Sequence, residues 1–338
     1  MEQIRTRSRG NGGITVADVA KIAGVSPITV SRAINTPDRV SAEKLIRVRQ
    51  AVQQSGYVPN LLAGGLASRH SRLVAAIIPE VSSPLFADTV HALTEELRTS
   101  RYQLALGLSG YGDAREDELV EAMLSRRPDG VVLTGSEHSA VARQRLLAAG
   151  IPVVELWDRR PGPIDMAVGF SQEEVGQAVA EVLLTGRRRP AFISSDDPLA
   201  LQRAQGFREA AQRLGITRVP MRMVTAPATL GGGRTALAAL LQEHPDLDAV
   251  ACSSDMLALG VLIEARARQV GVPDKLAVFG FGDMSFAADT DPPLSTVRVD
   301  AKAIGRQAAR MILDQAEGRP IKQRMLDTRF EIIRRASA

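Results

Sequence analysis

Cysteine and aromatic residues are scarce in this chain: 338 residues contain one cysteine, one tryptophan, three tyrosines, eight phenylalanines and four histidines. A single thiol forms no intrachain disulfide, and with four scattered histidines it builds no thiolate zinc cluster, so no metal site is expected. Cys252, within AVACS, reads as a small buried hydrophobe. No uninterrupted apolar run approaches the ~18–20 residues of a membrane span. The basic opening MEQIRTRSRG is not followed by the apolar core of an export signal, so a cytoplasmic protein with no membrane partner is expected. Motifs of catalysis are missing too. There is no Walker loop, Gly231-Gly232-Gly233 lacks the spacing of a dinucleotide fingerprint, and GLSGYG has its glycines in the wrong order. No carboxylate pair or Ser/His/Asp set shows a familiar spacing, so neither catalytic residues nor a cofactor are expected. The glycine runs read instead as helix C-caps or flexible turns.

What is present is an ordinary folding composition, 45% hydrophobic and 24% charged, which excludes wholesale disorder, collagen-like and coiled-coil organisation. The length supports two or three folding units. Charge divides them. Residues 1–72 hold eleven Lys and Arg against four Asp and Glu, whereas the remainder holds 31 against 34. A small basic head on a mildly acidic body is the footprint of a nucleic-acid-binding module joined to a unit with another task.

The head carries helix punctuation. Thr15 precedes VADVAKIAG with Asp18 three residues on, a capping pattern, and Val16, Val19, Ala20 and Ala23 then share a face. Gly24 ends that helix. Ser26 caps a second helix with Pro27 at its first position. Val30 and Ala33 point inward, which leaves Ile28, Thr29, Ser31, Arg32 and Asn35 outward. Ser41 opens a third helix, with Leu45, Val48 and Val52 inward, ending near Gly56. Two short helices across a glycine turn, braced by a third, form a helix-turn-helix whose second helix enters the DNA major groove, where Arg32 can pair bidentately with guanine.

The run ITVADVAKIAGVSPITVSRAIN, followed by VSAEKLIRVRQAVQQSGYVPNLLAGGLAS, resembles the head and hinge of the lactose-repressor (LacI) family of bacterial transcription regulators. The resemblance implies that Thr15, Ser26 and Ser31 hold phosphates, that Pro27, Ile28 and Arg32 face base edges, and that Tyr57, Pro59 and Asn60 form the turn into the hinge. It further implies that the hinge, Ala63 included, folds on DNA and that Leu66 wedges into a minor-groove step. Independently, Gly64 and Gly65 make so short a helix marginal in water. An apolar wedge unstacks a base step, a cost offset by the larger protein–DNA surface that the bend brings together. Ala67 is small where some relatives carry lysine or glycine.

From Leu73 onward, strands alternate with helices: LVAAII, helix 84–100, QLALGL, helix 114–125, GVVLT, helix 139–149, VVEL and MAVGF. The alternation restarts at PAFIS, with helix 199–214, MRMV, helix 233–243, AVACS, helix 256–270 and LAVFGF. The expected architecture is therefore an N-terminal all-α helix-turn-helix head plus hinge helix, and an α/β body of two doubly wound parallel-sheet subdomains. By resemblance that body is periplasmic-binding-protein-like with three crossovers. The corresponding boundaries are a basic tail 1–13, a DNA-binding domain 14–58, a hinge 59–70 and an effector and dimerisation domain 71–338. The body divides into roughly 73–166 plus 295–322, and 167–293 plus 323–334.

Ligands bind at strand carboxyl ends of such sheets. That places Ser82, Ser83 and Phe86, Asp158, Arg203, and Ser254 with Asp255 at the candidate cleft, with helix capping or a surface ion pair as the structural alternatives. His138, after GVVLT, is either a further donor or a surface histidine. Many sugar-binding relatives carry an aspartate directly after the G-[FY] of LAVFGF; here Gly282 stands there and the acid is Asp283, a further candidate for the effector site. The stretches EDELVEAMLSRRPDGVVLTGSEHS and GIPVVELWDRRPGPIDMAVGF are similar to the gluconate-operon repressor branch of the family. A sugar acid such as gluconate or a keto-gluconate is the expected effector, gripped by Arg203; a neutral sugar, a phosphorylated sugar and a nucleobase remain open. The expected partners are pseudo-palindromic double-stranded operator DNA, the effector and a second copy of the chain. EIIRRASA is too short for tetramerising heptads. A doubly wound enzyme and a sugar carrier are the rival functions, and residues 15–66 discriminate against both.

Overall fold

The computed structural model describes residues 13–58, 70–111 and 113–338. Pro59, Asn60, Ala63 and Leu66 lie outside the described residues. The chain divides into two units, Met1–Ser71 and Arg72–Ala338.

In the first unit, α1 (Val16–Ala23), α2 (Pro27–Asn35), a 3-10 turn (Pro37–Arg39) and α3 (Ala42–Ser55) follow one another. Thr15 and Asp18 form a reciprocal capping box, Thr15 Oγ1 accepting from the Asp18 N–H and the Asp18 carboxylate accepting from the Thr15 N–H at 2.9 Å. Gly24 takes the left-handed conformation, φ +62°, that lets the chain turn sharply into α2. Ser26 accepts from the Thr29 N–H at 3.2 Å. Val19, Ala20, Ala23, Val30, Ala33, Val48 and Ala51 form a core of small residues, with Leu45 and Val52 against it.

In the second unit a six-stranded parallel sheet runs in the order β11-β5-β4-β3-β1-β2, comprising β1 (Leu73–Ile78), β2 (Gln103–Leu108), β3 (Gly130–Thr134), β4 (Val153–Leu156), β5 (Met166–Gly169) and β11 (Met325–Asp327). A four-stranded parallel sheet runs β7-β6-β8-β9, from β6 (Pro190–Ser195), β7 (Met221–Val224), β8 (Ala249–Cys252) and β9 (Ala277–Phe279). β10 (Thr296–Arg298) and β12 (Glu331–Ile333) form an antiparallel ribbon. The helices are α4 (Pro84–Thr99), α5 (Asp113–Leu124), α6 (Ala140–Ala149), α7 (Gln172–Leu183), α8 (Pro198–Arg213), α9 (Leu230–Glu243), α10 (Asp255–Ala267) and α11 (Ala301–Ala316). Alternation along β1 sends Val74 and Ala76 to one core cluster and Ala75 and Ile77 to another, so central strands are buried on both faces and read as continuous apolar runs.

The structure corrects the division of the body at residue 166. MAVGF continues the ladder of β4, with Val154 beside Met166, and β11 closes the same sheet, with Met325 beside Ala167. Both β5 and β11 therefore belong to the first half, and the crossing falls between β5 and α7. Helix α7 is absent from the sequence-based alternation, although Val175, Val179, Ala180 and Leu183 form its buried stripe. Gly231–Gly233 is neither a C-cap nor a turn: it opens α9, capped by Thr229 Oγ1 accepting from the Gly232 N–H at 3.0 Å.

Three helix pairs pack through glycine notches. A Cβ on Gly176 of α7 would sit 2.0 Å from the Arg203 carbonyl oxygen, and one on Gly206 of α8 would sit 2.0 Å from that of Glu173. Gly233 and Gly260 notch α9 against α10 in the same way, and Gly305 of α11 receives the Thr89 carbonyl of α4. Backbones can approach this closely only where no side chain intervenes.

Candidate DNA-reading face and effector cavity

On the head, Pro27, Ile28, Ser31 and Arg32 of α2 are exposed, as are the caps Thr15 and Ser26, while Thr29 is half-buried with its hydroxyl 2.9 Å from Ser26 Oγ. Ile28, at the start of the helix, is 64% exposed. Asn35 is the last residue of α2. Tyr57, just after α3, is 9% exposed and completes the core of small residues.

In the body, a cavity of about 430 Å³ opens between the two halves at the strand carboxyl ends. The first half contributes Glu80, Ser82, Ser83, Phe86, Tyr111 and Trp157; the second contributes Ser195, Asp197, Arg203, Ser253, Ser254 and Phe281, among others. Phe86 and Trp157 meet edge-on with centroids 5.6 Å apart, and Trp157 meets Phe170 at 6.1 Å. Trp157 holds a left-handed backbone, φ +69°, a costly conformation for a bulky residue. Its indole Nε1 is buried without a hydrogen-bond partner among the described residues.

Arg203 is buried on α8, which Asp197 caps by accepting from the Ala200 N–H at 2.9 Å. Its guanidinium donates to Gln172 Oε1 and, at 3.1 Å, to the Ser253 carbonyl, and lies 4.1 Å over the Phe281 ring. No carboxylate forms an ion pair with it among the described residues, and its Nε has no partner. Burial pulls its pKa down to about 10, Asp197 opposing, so it stays charged at neutral pH. The surface ion-pair alternative for Arg203 is thereby excluded.

Ser82, Ser83, Phe86, Arg203 and Ser254 line the cavity as expected, and Ser254 is also the N-cap of α10, accepting from the Leu257 N–H. Four other expected residues do not line it. His138 is neither a cleft donor nor a surface histidine. Its buried ring lies 2.8 Å from Glu116 and 3.8 Å from Glu155, and although burial works against the charged form, these carboxylates hold its pKa above the ordinary histidine value. Asp158 is buried behind the wall, accepting from Ser136 Oγ at 2.5 Å, Gln202 Nε2 at 3.3 Å and the Arg159 N–H at 2.7 Å. Asp283 is clamped by Arg298 and Arg335, each at 2.7 Å, and staples the loop 281–284 to β10 and to the C-terminal segment. Asp255 accepts from Thr296 Oγ1 at 2.6 Å and from the Met284 N–H at 2.8 Å, bracing that loop from behind.

Burial raises the Asp255 carboxyl to about 6 against the Thr296 and Met284 hydrogen bonds. The folded chain then holds an extra proton between about pH 4 and about pH 6, so stability falls as pH rises through that window and the cost is fully present above it. Asp255→Asn is expected to flatten this slope in urea unfolding compared at pH 4.5 and 7; an unchanged slope would place the titration elsewhere.

Sequence reasoning missed Glu80, Tyr111, Trp157, Asp197 and Phe281. Glu80 and Tyr111 lie just past the ends of β1 and β2, so the strand-end rule that found Ser82 also points to them.

A model of the bacterial regulatory proteins of the lacI family matches residues 15–60, and a periplasmic binding protein-like domain matches 171–338. The HTH-type transcriptional regulator GntR of Pseudomonas aeruginosa is 38% identical over 333 residues, 98% of this chain and 97% of its own. A LacI-family transcriptional regulator from Silicibacter pomeroyi superimposes with a TM-score of 0.90 at 33% identity, covering 96% of this chain and 99% of that one. The lac repressor dimer bound to operator shares the fold, with a TM-score of 0.82 at 22% identity over 96% of this chain and 99% of its own. A helix-turn-helix head, a two-sheet body enclosing a cavity, and identity across nearly the full length of both chains meet in one conclusion: the chain belongs to the LacI family and is a DNA-binding transcriptional regulator.

Proposed function

We propose that the protein represses a sugar-acid catabolic operon in the cytoplasm as a homodimer on a pseudo-palindromic operator, and that gluconate or a keto-gluconate is its effector. The observation that carries the effector class is Arg203, a buried guanidinium with no carboxylate partner and an unused Nε–H, facing an aromatic cavity. A buried guanidinium with no carboxylate in ion-pair contact, Asp197 acting on it only from beyond that distance, is costly, and a carboxylate on the ligand supplies the contact with bidentate geometry. The unused Trp157 Nε1–H adds a second donor that calls for acceptor oxygens. The similarity of residues 116–170 to the gluconate-operon repressor branch supports the same choice. The dimer follows the lac repressor structure, and the wedge role of Leu66 follows the family hinge.

Titrating the full chain calorimetrically with gluconate, keto-gluconates, neutral sugars, phosphorylated sugars and nucleobases tests the effector. Heat with the acids supports the reading; tight binding of a neutral sugar or a nucleobase alone overturns it. On the head, Arg32→Ala is expected to cost about 1–3 kcal/mol on operator and to relax specificity at one base position. Equal losses on all sequences in gel shifts would reduce Arg32 to a phosphate contact.

A further inference from the structure

Two carboxylates line the cavity, and they are not equivalent. Asp197 is committed to the fold: one oxygen caps α8 and the other accepts from Ser195 Oγ at 2.5 Å. Glu80 caps nothing and forms no ion pair among the described residues. Its Oε1 accepts from the Tyr111 hydroxyl at 2.7 Å and its Oε2 from Ser82 Oγ. Both donors are hydroxyls, groups that can rotate and can accept as well as donate. Each Glu80 oxygen keeps a further lone pair, and the Tyr111 oxygen can still accept. Glu80 and Tyr111 therefore present a cluster of acceptors to the cavity, whereas Arg203 on the second half presents donors. A negative Glu80 beside an anionic ligand is unfavourable unless the ligand brings O–H donors to it.

Resting on the sugar-acid reading above, we propose that the Glu80–Tyr111 pair is the specificity determinant for the hydroxyl-bearing part of the effector, telling a polyhydroxylated acid from an unsubstituted acid of equal length. Because Glu80 and Tyr111 stand on the first half and Arg203 on the second, a ligand that satisfies both sets ties the two halves together.

The test is calorimetric titration of the full chain and of the near-isosteric variants Glu80→Gln and Tyr111→Phe, with D-gluconate and with hexanoate, after circular dichroism confirms folding. Each variant is expected to weaken gluconate binding roughly ten- to hundredfold, the range for a hydrogen bond to a charged group. Hexanoate binding is expected to stay constant or to tighten slightly in Glu80→Gln, since removing a negative charge favours any anion. If Glu80 acts only through its charge, both acids tighten together and the proposal is overturned. It is also overturned if gluconate binds both variants as it binds the unmodified chain while Arg203→Met abolishes binding; the sugar-acid reading then survives alone. Should the unmodified chain bind neither acid, both readings are lost.

Discussion

Arg203→Ala is expected to lower sugar-acid affinity at least a hundredfold and to abolish the effector response while leaving operator affinity intact. The magnitude follows from the chemistry of a desolvated ion pair: removing one charge strands the other in a low-dielectric site, a loss of about 3–5 kcal/mol. Arg203→Met separates charge from volume. It keeps the packing beside Phe281 but removes a cation that lacks a counter-ion in the free protein, so the ligand-free variant is expected to unfold at an equal or higher temperature. Calorimetric titration and gel shift on the same preparations check both parts. A retained response in either variant would move the ligand away from Arg203.

The second large effect is on stability. Gly206→Ala adds a methyl group 2.0 Å from the Glu173 carbonyl oxygen. Alanine improves helix propensity by about 1 kcal/mol, but relieving so close an approach between two backbones costs about 3 kcal/mol or more, so the clash wins. The shift also displaces Arg203, one turn earlier on the same helix. Gly233→Ala should behave alike, because its Cβ would meet the Leu257 carbonyl at 2.2 Å, whereas at Gly231 nothing lies within 4 Å. Gly231→Ala is therefore expected to be neutral or stabilising by up to about 1 kcal/mol. Urea unfolding of the three variants is the measurement; equal midpoints at 231 and 233 would refute the notch.

Much of this is legible in the chain itself. Caps, glycine stops and apolar spacing locate α1, α2 and α3, because helix termini are chemically marked and their signals are local. The strand alternation locates both sheets, and position after a strand finds five residues of the cavity wall. The failures share a cause. Asp158, Asp255 and Asp283 also stand near strand ends, but which way a carboxylate points depends on donors far away in sequence, such as Thr296 and Arg335. His138 is buried by the distant Glu116 and Glu155. Helix α7 is a different case: Val175, Val179 and Leu183 recur every fourth residue, a local signal that a reading led by strands passes over. The carbonyl facing Gly206 cannot be inferred from any local window.

The path of the backbone between the two sheets has a practical outcome. It leaves the first half after β5, returns along β10 to α11 and β11, and leaves again through β12 to the terminal segment, where Ser337 hydrogen-bonds to Val278 and Ser295. No single cut therefore releases two pieces that each own a whole sheet with its covering helices. The first half cannot be expressed as one uninterrupted stretch, because β11 is cut off from β1–β5 by the whole of the second, whereas the four strands of the second sheet and their helices fall within 172–279. A deletion that removes the last few residues is expected to loosen the second half, because Ser337 hydrogen-bonds to Val278 of β9 and to Ser295.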